Sequence, residues 1–203
     1  MKAFTLAFYA LLPIVYSHSV ITSVNGANGI DSDGFGVDPT TPRDGSANKP
    51  FQQDTSIIRD REIASGRAGP CGRTQQAGNV DVQAEMTAAV ANGLATAASD
   101  GSVTMTVHQV NQDGAGPFTC DVDATGTGQS FQAMQVTQDV PGDVPFVGSL
   151  SRAKATDFQL VAKMPAGMTC SGPGGACLVR CRNNAIAGPF GSCVAGAYTI
   201  YQG

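Results

Sequence analysis

The clearest signal along the chain is strict alternation. Between Ser102 and Val110, Val103, Met105 and Val107 fall on one face and Thr104, Thr106 and His108 on the other, the period-two pattern of a strand with one side in a core. Residues 19–24, 118–123, 130–137, 157–164, 177–183 and 193–201 repeat this pattern less cleanly. Clusters of Gly, Pro, Asn and Asp at 111–117, 141–145 and 172–175 separate them. Such residues end strands and set turns, so the spacing predicts a mainly β protein, an antiparallel β-sandwich of two sheets. Two stretches depart from this pattern. Residues 82–98 are Ala-rich and predict one helix interrupted by Gly93, and residues 54–65 predict a second short helical turn in a long loop.

The start of the chain has a different character. Lys2 precedes a mostly apolar run over 3–15, and Ser17 follows with Val15 two positions before it, the pattern of a secretory leader. The expected organisation is a leader at 1–17 and a single domain over 18–203. The apolar run is shorter than the roughly 20 residues a membrane span needs. A cut after Ser19 also satisfies the small-residue rule, with Ser17 and Ser19 at the third and first positions before it.

Composition narrows the functional classes. The 203 residues include 25 Gly and 11 Pro but no Trp, which suits short strands and many turns, and a 42% apolar share suffices for a core. Only 14% of residues are charged and the net charge is −4. Without Lys2 there are 11 basic groups against 16 acidic ones, so nucleic acid and an anionic membrane surface are not expected partners. A monomer is expected. Six cysteines, Cys71, Cys120, Cys170, Cys177, Cys181 and Cys193, all follow the leader. An even set in an exported chain predicts three disulfides, whose pairing remains open among about 15 possibilities.

Reactive chemistry is confined to few groups. Only two histidines occur, His18 and His108. A cut after Ser17 makes His18 the first residue and gives it two nitrogen donors, the α-amine and the imidazole Nδ1. His108 adds a third nitrogen in a T-shaped set, and such nitrogen-rich geometry favours copper over magnesium or calcium. An N-terminal amine, with a pKa of about 7.7–8.0, sheds its proton far more readily than a lysine. The sequence therefore predicts a histidine brace for one copper per chain, with His18 and His108 as ligands. A cut after Ser19 discards His18 and leaves His108 as an ordinary strand residue.

Several longer runs carry a family resemblance. His18-Ser-Val-Ile21, Gln53-Asp-Thr-Ser-Ile-Ile-Arg-Asp60, Cys71-Gly-Arg-Thr74, Val107-His-Gln-Val-Asn-Gln-Asp-Gly-Ala-Gly-Pro-Phe-Thr-Cys-Asp121 and Arg180-Cys-Arg-Asn-Asn-Ala-Ile-Ala-Gly-Pro-Phe-Gly-Ser-Cys193 resemble the Egh-like (Gas/Mas) family of appressorium-specific fungal virulence factors. The resemblance implies a secreted protein that supports host penetration by a plant-pathogenic fungus, with the appressorium cytoplasm as the alternative location.

A fainter resemblance is to lytic polysaccharide monooxygenases. Residues 157–168 followed by 177–185 are similar to the strand pair before the final strand of those enzymes, and Phe190-Gly-Ser-Cys193 is similar to their axial aromatic placed three residues before a cysteine. This implies an immunoglobulin/fibronectin-like sandwich, copper on His18 and His108, Phe190 in the axial position, and oxidative attack on cell-wall polysaccharide. Gly188 stands where those enzymes often carry a glutamine that manages bound oxygen, and Gln109 is the candidate to replace it.

Other classes fit less well. With Glu62 and Glu85 the only glutamates, a glycosidase pair has little to build on. A serine hydrolase lacks the Gly-x-Ser-x-Gly elbow. The alternative to an enzyme is a non-catalytic, disulfide-braced effector that binds a wall polysaccharide or a host surface component. After the leader the tyrosines are Tyr198 and Tyr201, too few aromatics for a flat sugar-stacking platform.

Overall fold

The computed structural model describes residues 18–142 and 151–198. The leader expected at 1–17 and the last part of the strand expected at 193–201 lie outside the described residues. In chain order the strands are β1 (Ser19–Asn25), β2 (Asp31–Asp33), β3 (Ser56–Ile57), β4 (Arg73–Thr74), β5 (Gly78–Asn79), β6 (Ala95–Thr96), β7 (Ser102–Gln109), β8 (Phe118–Asp123), β9 (Gln132–Ala133), β10 (Gln135–Gln138), β11 (Thr156–Lys163), β12 (Cys177–Asn183) and β13 (Phe190–Ala197). The helices are α1 (Asp60–Ala64) and α2 (Val82–Asn92). One sheet runs β10-β11-β7-β1-β2, and the other runs β5-β4-β3-β13-β12-β8-β9 with β6 attached to β13. These pairings are antiparallel except for β6 with β13, so the mainly β, two-sheet expectation is met.

The alternation in β7 explains how the layers meet. Val107 lies opposite Ile21 on β1 and Phe158 on β11, and Met105 lies opposite Val24 and Leu160. These side chains, with Phe158 partly buried at the margin, pack in one cluster with Cys120, Val122, Val179, Cys181 and Val194 of the second sheet and with Tyr198 just beyond β13. Each fully buried Val, Leu, Ile or Met contributes about 1.5–3 kcal/mol, so a one-residue slip would turn this whole row outward. A second cluster lies on the other side of the second sheet, where Met86 of α2 packs with Phe35, Leu178 and Ala195.

Three local expectations are corrected. The strand expected at 130–137 is two strands in different sheets: β9 pairs with β8 and β10 with β11. Met134 makes the crossover, its N–H donating to the Cys120 carbonyl at 2.8 Å while its side chain enters the core. The helix expected at 82–98 starts as foreseen, with Asp81 Oδ1 accepting from the Gln83 and Ala84 N–H groups, but it ends at Asn92. Gly93 takes φ 101°, a conformation that leaves the helix, and Ala95 and Thr96 then pair beside Gly196 and Ala197. Residues 54–65 split into β3 and α1 rather than forming one turn.

All six cysteines are paired, as Cys71–Cys193, Cys120–Cys181 and Cys170–Cys177. Cys120 and Cys181 face each other directly on β8 and β12. Cys71–Cys193 spans 122 residues and Cys170–Cys177 only 7. Loop-closure entropy then makes loss of the first cost about 2.5 kcal/mol more than loss of the second. Chemical denaturation of the two double Cys→Ala variants checks this, and equal losses would contradict it.

Candidate functional site

His18 immediately precedes β1, and His108 is the last residue but one of β7. In the ladder Val20 faces His108 and Ser19 faces Gln109. The Val110 N–H donates to the His18 carbonyl at 3.0 Å. The two histidines are therefore diagonal neighbours at one end of this strand pair, with backbones about 7 Å apart by ladder geometry. Phe190 opens β13 in the opposite sheet, and its ring centroid lies 4.5 Å from that of His18. The three residues singled out in the sequence thus come from strand ends of both sheets, and the register and the ring contact gather them at one place.

His108 is oriented by a carboxylate. It is buried, and its Nδ1 lies 2.6 Å from Asp157 Oδ1, a residue directly opposite it on β11. Its Nε2 is buried without a hydrogen-bond partner among the described residues. A carboxylate that accepts from Nδ1–H fixes the tautomer with the lone pair on Nε2, as the outer partners of metal-bound histidines do. Asp157 was not singled out from the sequence. The signal lay in strand parity, but it needed the β7–β11 register to become visible.

His18 is held through its backbone. Its N–H donates to Asn111 Oδ1 at 2.9 Å. The turn that follows β7 can wrap so closely because residue 114 is glycine: a Cβ there would lie 2.2 Å from the His18 carbonyl oxygen. The donor set also suits copper chemically, with two imidazoles and, after a cut at Ser17, an α-amine at the nitrogen that Asn111 contacts. Among the described residues no group of three or more His, Cys, Asp or Glu side chains is disposed to hold a metal. A brace is not such a group, because its third donor belongs to the main chain.

Phe190 is set by its own loop. Buried Asn183 accepts the Phe190 N–H at 3.0 Å and the Ala185 N–H at 3.2 Å, and donates to the Ala115 carbonyl. Arg59 donates from Nε to the Gly188 carbonyl and from Nη2 to that of Ala187, while the Ile58 N–H donates to the Pro189 carbonyl. A Cβ on Gly188 would stand 2.5 Å from the Phe190 ring. The glutamine often found there in lytic polysaccharide monooxygenases would therefore collide with the aromatic. Gln109 follows His108 and by strand alternation points to the opposite face of β7. Its Nε2 donates to the carbonyls of Asn111 and Ala153, which fastens the loops around the site.

The remaining candidates have structural duties. Glu62 is buried between Arg59 and Arg73, and its hydrogen bond from Arg73 holds its carboxyl below the usual range against the opposing effect of burial, the reverse of what a general acid needs. Glu85 accepts the Gly36 N–H. Tyr198 is fully buried in the core, where burial pushes its phenol up, so it offers no stacking surface. Tyr201 lies outside the described residues.

A family model described as "Egh16-like virulence factor" matches residues 16–191, a span that contains His18, His108, Asp157 and Phe190. The appressoria-specific virulence factor GAS2 of Pyricularia oryzae is 36% identical over 243 aligned residues, covering 89% of this chain and 83% of its own. The appressoria-specific virulence factor GAS1 of the same organism is 38% identical over 203 residues, covering 96% of this chain and 77% of its own. No solved structure matches the chain significantly. With the family model and both relatives spanning most of its length, the chain belongs to the Egh16-like virulence factor family.

Proposed function

We propose that this is a secreted virulence factor that acts during host penetration and carries one copper in a brace formed by His18 and His108, with oxidative attack on cell-wall polysaccharide as its activity. The virulence role is supported by the relatives' description as appressoria-specific virulence factors. Export is supported by three disulfides, which persist in oxidising compartments. The brace is supported above all by one observation: among the described residues the buried His108 Nε2 lacks a partner while Asp157 holds the other ring nitrogen.

Copper in such a site supplies one-electron redox chemistry through which peroxide hydroxylates a sugar C–H, with water released. The residues of this chain prepare that chemistry. His18 contributes its α-amine and Nδ1, and His108 contributes Nε2. Asp157 keeps the His108 proton on Nδ1 and leaves the Nε2 lone pair facing the site. Phe190 packs its ring on the His18 side and keeps an apolar wall there. Gln109 holds the carbonyls of the loops that flank the site.

Three outcomes are expected. Intact-mass measurement of secreted protein shows a start at His18, and a start at Val20 would remove the brace and leave the wall-binding alternative. In calorimetry the chain beginning at His18 takes up one Cu(II), and both His108→Ala and a single residue added before His18 weaken uptake by at least about a hundredfold while unfolding free energy changes by less than about 2 kcal/mol. Copper affinity unchanged in both would contradict the site. Asp157→Asn lowers copper affinity by about ten- to a hundredfold with little loss of stability, since the carboxylate reaches solvent. An unaltered affinity would remove Asp157 from the positioning role.

A further inference from the structure

The charge on this molecule is unevenly distributed. Six of its eight arginines belong to or reach the segment around α1, Arg59, Arg61, Arg67 and Arg73 by position and Arg180 and Arg182 by contact, and the carboxylates paired with them are Asp60, Glu62 and Asp121. The rest of residues 18–203 holds five basic groups against thirteen carboxylates. Contacts tie five of them to the segment around α1, and Arg61 lies within that helix. Arg59 and Arg73 share Glu62, and the Arg67 N–H donates to the Glu62 carbonyl. Arg180 reaches the Pro70 carbonyl and Asp121, and Arg182 reaches the Ile58 carbonyl and Asp60. Arg61 and Arg67 are exposed and form no side-chain hydrogen bond or ion pair among the described residues. All the cations here are guanidinium groups, although the chain also has four lysines. Guanidinium groups bind carboxylates in two-pronged fashion, whereas an ammonium acts as a point charge.

The surface continues to the candidate copper site. Arg59 holds the carbonyls of Ala187 and Gly188 just before Phe190, and β3, which leads into α1, pairs with Phe190 and Gly191. In the same loop Ile186 is 84% exposed, although the backbone around it is fixed by Arg59 and Asn183. An apolar side chain on a rigid turn can meet the C–H face of a sugar ring while neighbouring arginines take its acidic groups.

We propose that this arginine face binds a polysaccharide rich in uronate carboxylates and guides it to the Phe190 end of the sandwich. The choice of a polysaccharide rests on the function proposed above, and the choice of carboxylates rests on the arginines alone. Binding requires no metal. Binding of the full chain, free of copper, to polygalacturonate is measured beside the same polymer fully methyl-esterified and beside uncharged dextran. The expected result is binding to polygalacturonate that weakens steeply with salt, at least about tenfold weaker binding to the other two polymers, and a similar loss for Arg61→Gln/Arg67→Gln. Those two positions are exposed and unpaired, so the double variant keeps its fold. Equal binding to the esterified polymer, equal binding to dextran, or an unchanged double variant would overturn the proposal. His108→Ala retains full polymer binding, so a failed brace and a failed binding face give different results.

Discussion

The β7 register is the constraint on which the rest depends. This strand lies between β1 and β11, and from Thr104 to Gln109 each of its residues has a partner on both sides. One parity carries Val103, Met105 and Val107 into the core, with Ile21, Val24, Leu160 and Ala162 beside them. The other parity carries His108, and the same register that buries the core row sets His108 beside Val20 on β1 and Asp157 on β11. The hydrophobic effect thus aligns the candidate ligand with its carboxylate, because no slip that separates them leaves the core intact.

The second sheet supplies the other half of the site and the covalent fastening. Cys71–Cys193 ties the segment after α1 to β13, and Cys120–Cys181 joins neighbouring strands β8 and β12. Phe190 is pinned between Asn183 and the Arg59 hydrogen bonds. An aromatic so tightly fixed loses little further entropy when a ligand arrives. The arginine cluster has a double role in this account: Arg59, Arg73 and Arg182 hold segments together through Glu62 and Asp60, while Arg61 and Arg67 remain turned to water.

Much of this was visible in the sequence because it rests on local pattern. Strands β1, β7, β8, β11 and β12 follow from alternation between turn residues, and the two histidines stand out because there are only two. What was hidden depends on contacts distant along the chain. Residues 130–137 look like one strand because alternation is local, yet Met134 sends the two halves to different sheets. Asp157 is one carboxylate among 16 acidic groups until β11 pairs with β7. Arg59 is 129 residues from Gly188, and nothing local announces that hydrogen bond. Nor does the sequence show that Gly188 is glycine because the Phe190 ring occupies the space a side chain would need.

The central claim is that nitrogen atoms of His18 and His108 come together on one copper. Paramagnetic resonance of one equivalent of Cu(II), bound to the chain beginning at His18, tests it most directly, because nitrogen ligands split the signal in a countable way. The account predicts coupling to three nitrogens, with the α-amine contribution changing when the first residue alone is labelled with nitrogen-15. A spectrum dominated by oxygen ligands, or one indifferent to that label, would contradict it.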